Sequence, residues 1–221
     1  DIESAWNIIK GKGGFRQLPG LLLDRVTQKI FNNPDSYFNF DKYINLEKKY
    51  GFKSVFNIVA LTKGGHSKYD PLYSVFNPRI LKAIEFIKQE GWEIGLHGSY
   101  DSYKNTDMLI VEKSTLELAA RTKIRGICQH YLRLDCPQTW ESQAKADFQH
   151  DSTLGYNEAL GFRSGAAFPF YPYSFDKKAR LPILIMPLII MDGVLFYELK
   201  LGVQEATNRC IKIIELVKAH K

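Results

Sequence analysis

Apolar positions along this chain follow two periods that alternate for most of its length. Ile80, Leu81, Ile84 and Ile87 recur three and four apart behind Asn77 and Pro78, so a helix is predicted with Asn77 as N-cap, Pro78 in its first turn and Gly91 as its stop. In the next stretch Ile94 and Leu96 alternate with Gly95 and His97, which predicts a short strand with an apolar face that ends on an imidazole. Gly98 then turns the chain into the polar run Ser99, Tyr100, Asp101, Ser102. The same succession predicts helices over 18–31, 40–50, 107–121, 137–146 and 203–219, and strands over 52–61, 124–132, 148–152 and 183–191. Residues 10–14 and 62–76 are glycine-rich and polar, and they predict turns and a mobile loop, with His66 exposed in the latter.

Five strands interleaved with helices predict a parallel sheet, open or closed, because parallel neighbours need crossover connections. Its strand ends would carry His97, His130, Asp151 and Asp192 to one side, where sheets of this kind bind ligands. One long segment, 156–180, breaks the rhythm with Phe162, Phe168, Phe170, Tyr171, Tyr173 and Phe175 set among prolines. Its aromatics argue against disorder and its length argues for function.

With 221 residues, of which 45% are hydrophobic and 24% charged, the chain fits one domain with one core. A net charge of +6 is scattered through amphipathic segments rather than gathered in a stripe, so no nucleic-acid partner is expected. The longest apolar run, 181–191, is interrupted by Pro182 and Pro187 and is too short to span a bilayer, so no transmembrane segment is expected. Cys128, Cys136 and Cys210 form no CxxC pair, which favours a reducing, cytoplasmic setting over a disulfide framework. Because the chain opens on Asp1 rather than methionine, a preceding segment and further flanking strands are expected.

Several ordered motifs then coincide. Glu93-Ile94-Gly95-Leu96-His97-Gly98-Ser99-Tyr100, Asp151-Ser152-Thr153-Leu154-Gly155-Tyr156, Gly161-Phe162-Arg163-Ser164-Gly165, Phe168-Pro169-Phe170 and Pro187-Leu188-Ile189-Ile190-Met191-Asp192 together resemble the polysaccharide deacetylase superfamily, carbohydrate esterase family four. Within it they are most similar to the bacterial deacetylase-like branch associated with surface-polysaccharide genes. The resemblance covers nearly all of residues 1–221 as a single catalytic domain cut at both ends. It implies a distorted (β/α) barrel of about seven strands, a divalent metal at the strand C-termini and hydrolysis of an acetyl group from an acetylated saccharide.

By the same resemblance, Asp1 and Glu3 look like the remains of the motif that supplies the base and one metal ligand. His97 matches the first histidine of the metal motif, and Asp101 occupies the place of the second. Cys128 falls where the family often has a substrate-side arginine, with His130 two residues on, and the family's C-terminal histidine motif would lie beyond Lys221.

The residue types suit that chemistry. Glu3, His97 and either Asp101 or His130 could hold zinc or another divalent ion, whose bound water ionises near pH 7. Asp1 could take the water's proton. Arg163 could face a developing oxyanion or an acidic sugar, and Phe168, Tyr171 and Tyr173 could present flat faces to sugar rings. Plainer roles remain open beside these: Asp101 as a turn cap, His130 as an interior hydrogen-bonding residue, Arg163 as a brace for its loop, the aromatics as packing groups. The competing function is a non-catalytic sugar-binding or scaffold protein that keeps the barrel.

Overall fold

The computed structural model describes residues 38–61 and 67–220. Asp1, Glu3, His66, the 10–14 turn and the 18–31 helix therefore lie outside the described residues.

Helix α1, Phe40–Tyr50, closes on Gly51 in the left-handed region at φ 73°, and strand β1, Val55–Ile58, follows. Asn77 caps α2, Pro78–Gln89, by accepting a hydrogen bond from the Arg79 amide at 2.9 Å. Strand β2, Glu93–Gly98, leads to α3, Thr106–Ala120, where Asn105 accepts from the Met108 amide. Next come β3, Gly126–Gln129, α4, Gln138–Lys145, and β4, His150–Asp151. A small hairpin of β5, Tyr173–Ser174, and β6, Ala179–Arg180, precedes β7, Leu184–Ile185, and the chain ends on α5, Val203–Ala219.

The main sheet has the order β1-β2-β3-β4-β7, and every pairing in it is parallel. Neighbours follow chain order without a reversal. A sheet wound in one direction carries its crossovers on one face, as a barrel wall does, whereas a doubly wound sheet reverses at a switch point. The described strands thus make an α/β wall of five strands, with β1 and β7 as its two edges.

The core lies between this wall and the helices. Ile94, Leu96, Ile127 and Ile185 from the strands meet Ile84 and Ile87 of α2 and Leu109 and Leu116 of α3, all of them buried. Burying each such side chain is worth about 1.5–3 kcal/mol, which makes these alternating positions the main reason the strands keep their register.

The strands expected over 52–61 and 148–152 shorten to Val55–Ile58 and His150–Asp151, and three further features differ from the sequence pattern. Strand β3 stops at Gln129, because Tyr131 and Leu132 take left-handed backbone at φ 57° and 48°. The 183–191 run pairs as a strand only at Leu184–Ile185, since Pro182 before it and Pro187 within it lack ladder donors. Within the 62–76 loop the described residues 67–76 are anchored: Val75 and Asp70 are buried, and the Val75 amide donates to the Leu61 carbonyl.

Candidate active site

Strand parity decides which side chains meet at the C-terminal ends. His97 is in register with Cys128, and Ile127 with Asp151, so His97 and Cys128 share one face while Leu96, Ile127 and Asp151 share the other. Asp151 therefore points into the helix layer. It is fully buried, accepts from Gln143 Nε2 at 2.9 Å and from the Thr153 hydroxyl, and burial raises its carboxyl to about pKa 6. Asp192, at the other expected tip, is exposed and accepts from the Gly193 amide, a turn role. Neither aspartate joins His97.

His130 does. The left-handed turn at Tyr131 and Leu132 folds the chain sharply after β3, and His97 Nε2 lies 2.9 Å from His130 Nδ1 with the rings edge to face. His130 Nε2 is 2.9 Å from the Tyr69 carbonyl. A carbonyl can only accept, so that nitrogen carries a proton. Burial, aided by the neighbouring His130, lowers the His97 pKa to about 4, so its ring is neutral at pH 7.

Tyr69 ties a third loop to the pair. Its ring packs on Tyr100 at 4.3 Å and on Tyr131 at 5.7 Å, and next to it the buried Asp70 carboxylate accepts from the amides of Ser67 and Tyr100. Arg133 completes the cluster, with its guanidinium 4.0 Å from the centroids of both Tyr100 and Tyr103. It donates to the Tyr100 carbonyl and, at 3.0 Å, to Asp101. Asp101 is thus an ion-pair partner of Arg133 here.

A cleft of about 640 Å³ opens beside the pair, with Tyr131 common to both: its ring touches His130 and lines the cleft. Tyr103, Arg133, Asp135, Tyr156, Glu158 and Arg163 form much of the remaining wall. Arg163 lies in it and donates to the Gly155 carbonyl at 2.9 Å. Phe168, Tyr171 and Tyr173 are exposed elsewhere: Tyr171 lies under the Arg180 guanidinium and Tyr173 packs edge-on to Phe175.

Two imidazoles are suitable donors for a divalent ion. Their facing nitrogens stand at hydrogen-bond distance, however, whereas two nitrogens on one tetrahedral zinc lie about 3.3 Å apart. Among the described residues no group of three histidine, cysteine or carboxylate side chains could hold an ion. The donor types fit a metal.

Cys128 and Ser99 offer no alternative nucleophile. Burial pushes the Cys128 thiol up to about 12, and the buried Ser99 hydroxyl donates to Glu112. Sequence pattern pointed to His97, His130 and Arg163 but not to Tyr69, Asp70, Tyr131 or Arg133. The His-Tyr-Leu-Arg run after a strand was the available signal, and its meaning depends on a left-handed turn that no glycine marks.

No protein-family model matches the sequence, and no curated protein does. Among solved structures, Puue allantoinase aligns over 80% of this chain and 53% of its own at 13% identity, with a TM-score of 0.56. The fold is shared with that allantoinase. A Mycobacterium smegmatis protein described as a polysaccharide deacetylase aligns over 66% of this chain and 43% of its own at 16% identity and a TM-score of 0.46. The Streptococcus pyogenes deacetylase PplD, solved with acetate, aligns over 68% and 59% at 18% identity and a TM-score of 0.38. The chain spans about half the length of these structures.

Proposed function

We propose that the chain belongs to a hydrolase that removes acetyl groups from an acetylated saccharide, with a divalent metal, zinc by preference, at the strand tips. The observation that carries this is the His97–His130 pair at the C-terminal ends of neighbouring strands, joined through Tyr131 to a polar, tyrosine-lined cleft of saccharide size. His97 and His130 would contribute imidazole, Glu3 and, in place of one imidazole, Asp101 would contribute carboxylate, and Asp1 would accept a proton from water. The metal would supply a water that ionises near neutrality and polarise the acyl carbonyl. The residues of the chain do the rest: His97 is neutral at pH 7, the form in which an imidazole ligates, and the anchored loops at Tyr69 and Arg133 hold both rings in place. Cleft tyrosines offer flat faces to sugar rings, and Arg163 offers a fixed fork of donors either to a developing oxyanion or to an acidic group of the sugar.

Acetate release tests the proposal. Full-length protein incubated with zinc and a panel of N- and O-acetylated oligosaccharides is expected to release acetate, and His97→Ala to reduce the rate by about 10²- to 10⁴-fold. No release from any substrate contradicts it, as does a variant as fast as the parent.

A second reading, a non-catalytic saccharide-binding protein on the same barrel, is favoured by one feature: both histidines and Asp101 are already engaged, by each other, by the Tyr69 carbonyl and by Arg133. Saccharide binding without acetate release selects it.

A further inference from the structure

We infer that the cleft beside the histidine pair seats a saccharide carrying a carboxylate, with Arg163 as the residue that takes that group. The inference rests on the reading of the chain as a saccharide-directed protein and narrows its substrate to an acidic sugar. Most charges in and around the cleft are already answered. Arg133 is paired with Asp101, and Asp135 accepts from Lys104 at 2.8 Å. Arg163 and Glu158 remain, both lining the cleft, with no ion pair to any described residue.

Arg163 is held rather than loose. One N–H donates to the Gly155 carbonyl, and Gly155 is itself pinned, because a Cβ there would come within 2.8 Å of the Leu188 carbonyl oxygen. Among the described residues nothing else takes the donors of the fork, and a carboxylate matches that planar fork with two parallel hydrogen bonds. Tyr103, Tyr131 and Tyr156 supply flat faces and hydroxyls around it, a lining that suits a sugar ring better than an apolar molecule. Glu158 opposes an anion, which fixes the sign of its replacement.

Calorimetric titration of the full chain with an unacetylated hexuronic-acid trisaccharide and with the neutral hexose trisaccharide of the same linkage tests the assignment without turnover. The uronate is expected to bind about tenfold more tightly. Arg163→Gln should abolish that preference, Arg163→Lys should keep part of it, and Glu158→Gln should enlarge it. Tyr156→Ala should weaken both ligands alike, while circular dichroism confirms that each variant is folded. Equal affinities, no binding of either trisaccharide, or a preference that survives Arg163→Gln overturns the assignment. Acetate release measured in parallel separates the two claims: release without uronate preference overturns only the cleft assignment, and uronate preference without release upholds it while overturning the hydrolase.

Discussion

Gly98 shows how a single position can be constrained by something other than its own backbone freedom. It is the last residue of β2, paired with Gln129, and a Cβ there would stand 2.3 Å from Gln129 Oε1 and 3.0 Å from Ser102 Oγ. Gln129 is fully buried, so it has little room to withdraw. Gly98→Ala should destabilise the protein by about 1–3 kcal/mol, read as a lower urea midpoint with an unchanged slope. An unchanged midpoint would mean that the Gln129 side chain moves freely. Tyr131 and Leu132 make the complementary point: two consecutive non-glycine residues in left-handed backbone cost roughly 1–2 kcal/mol each, offset by the Tyr131 ring contacts and by Asn157 Nδ2 donating to the Tyr131 carbonyl.

Among the elements, the loops after β1, β2 and β3 are held as one by the Arg133 guanidinium between two tyrosine rings and by Tyr69 against Tyr100 and Tyr131. Arg133→Ala should lower stability by about 1–3 kcal/mol in urea denaturation, and Arg133→Lys should recover little of it, because an ammonium cannot stack flat or bond along two directions. Full recovery by lysine would show that charge alone matters. Helix α2 and strand β2 were legible in the sequence because their apolar periods match their burial: Ile84 and Ile87 face the sheet, and Ile94 and Leu96 face the helices, whereas α5 keeps a helical apolar period with Ile211, Ile214 and Leu216 exposed. Parity also made His97 legible. It could not show that Asp151 points the other way, since β4 is only two residues long and its phase is set by pairing with β3. The anchoring of 67–76 was hidden for a different reason: Asp70 is buried by contacts with Tyr100, thirty residues away, and a polar loop looks alike whether anchored or free.

In the whole molecule, two buried groups set opposite pH dependences. Asp151 has its pKa raised from 3.8 to about 6, so the fold binds a proton that the unfolded chain has released, and the stability this provides is lost as pH rises through about 6. His97 has its pKa lowered from 6.5 to about 4, so its contribution is present above 6.5 and lost as pH falls towards 4. Each shift corresponds to roughly 3 kcal/mol, and the two largely cancel between about pH 4 and 6.5. Because Glu112, also raised by burial, titrates in the same region, the two groups are read by difference from the urea-denaturation profile of the metal-free parent. Relative to that parent, Asp151→Asn should leave a stability that rises with pH, and His97→Ala one that falls. Parallel profiles for the two variants would contradict the assignment of these groups.

The single-direction winding of β1, β2, β3, β4 and β7 sets His97 and His130 at neighbouring strand tips, and the proposal of a metal hydrolase stands on that placement. Metal analysis of the purified full-length protein after exposure to zinc and dialysis, beside His97→Ala treated alike, tests it most directly. About one zinc per chain in the parent, absent from the variant, is the expected result. No retained zinc in the parent, or equal zinc in both, would contradict a metal centre at these strand tips.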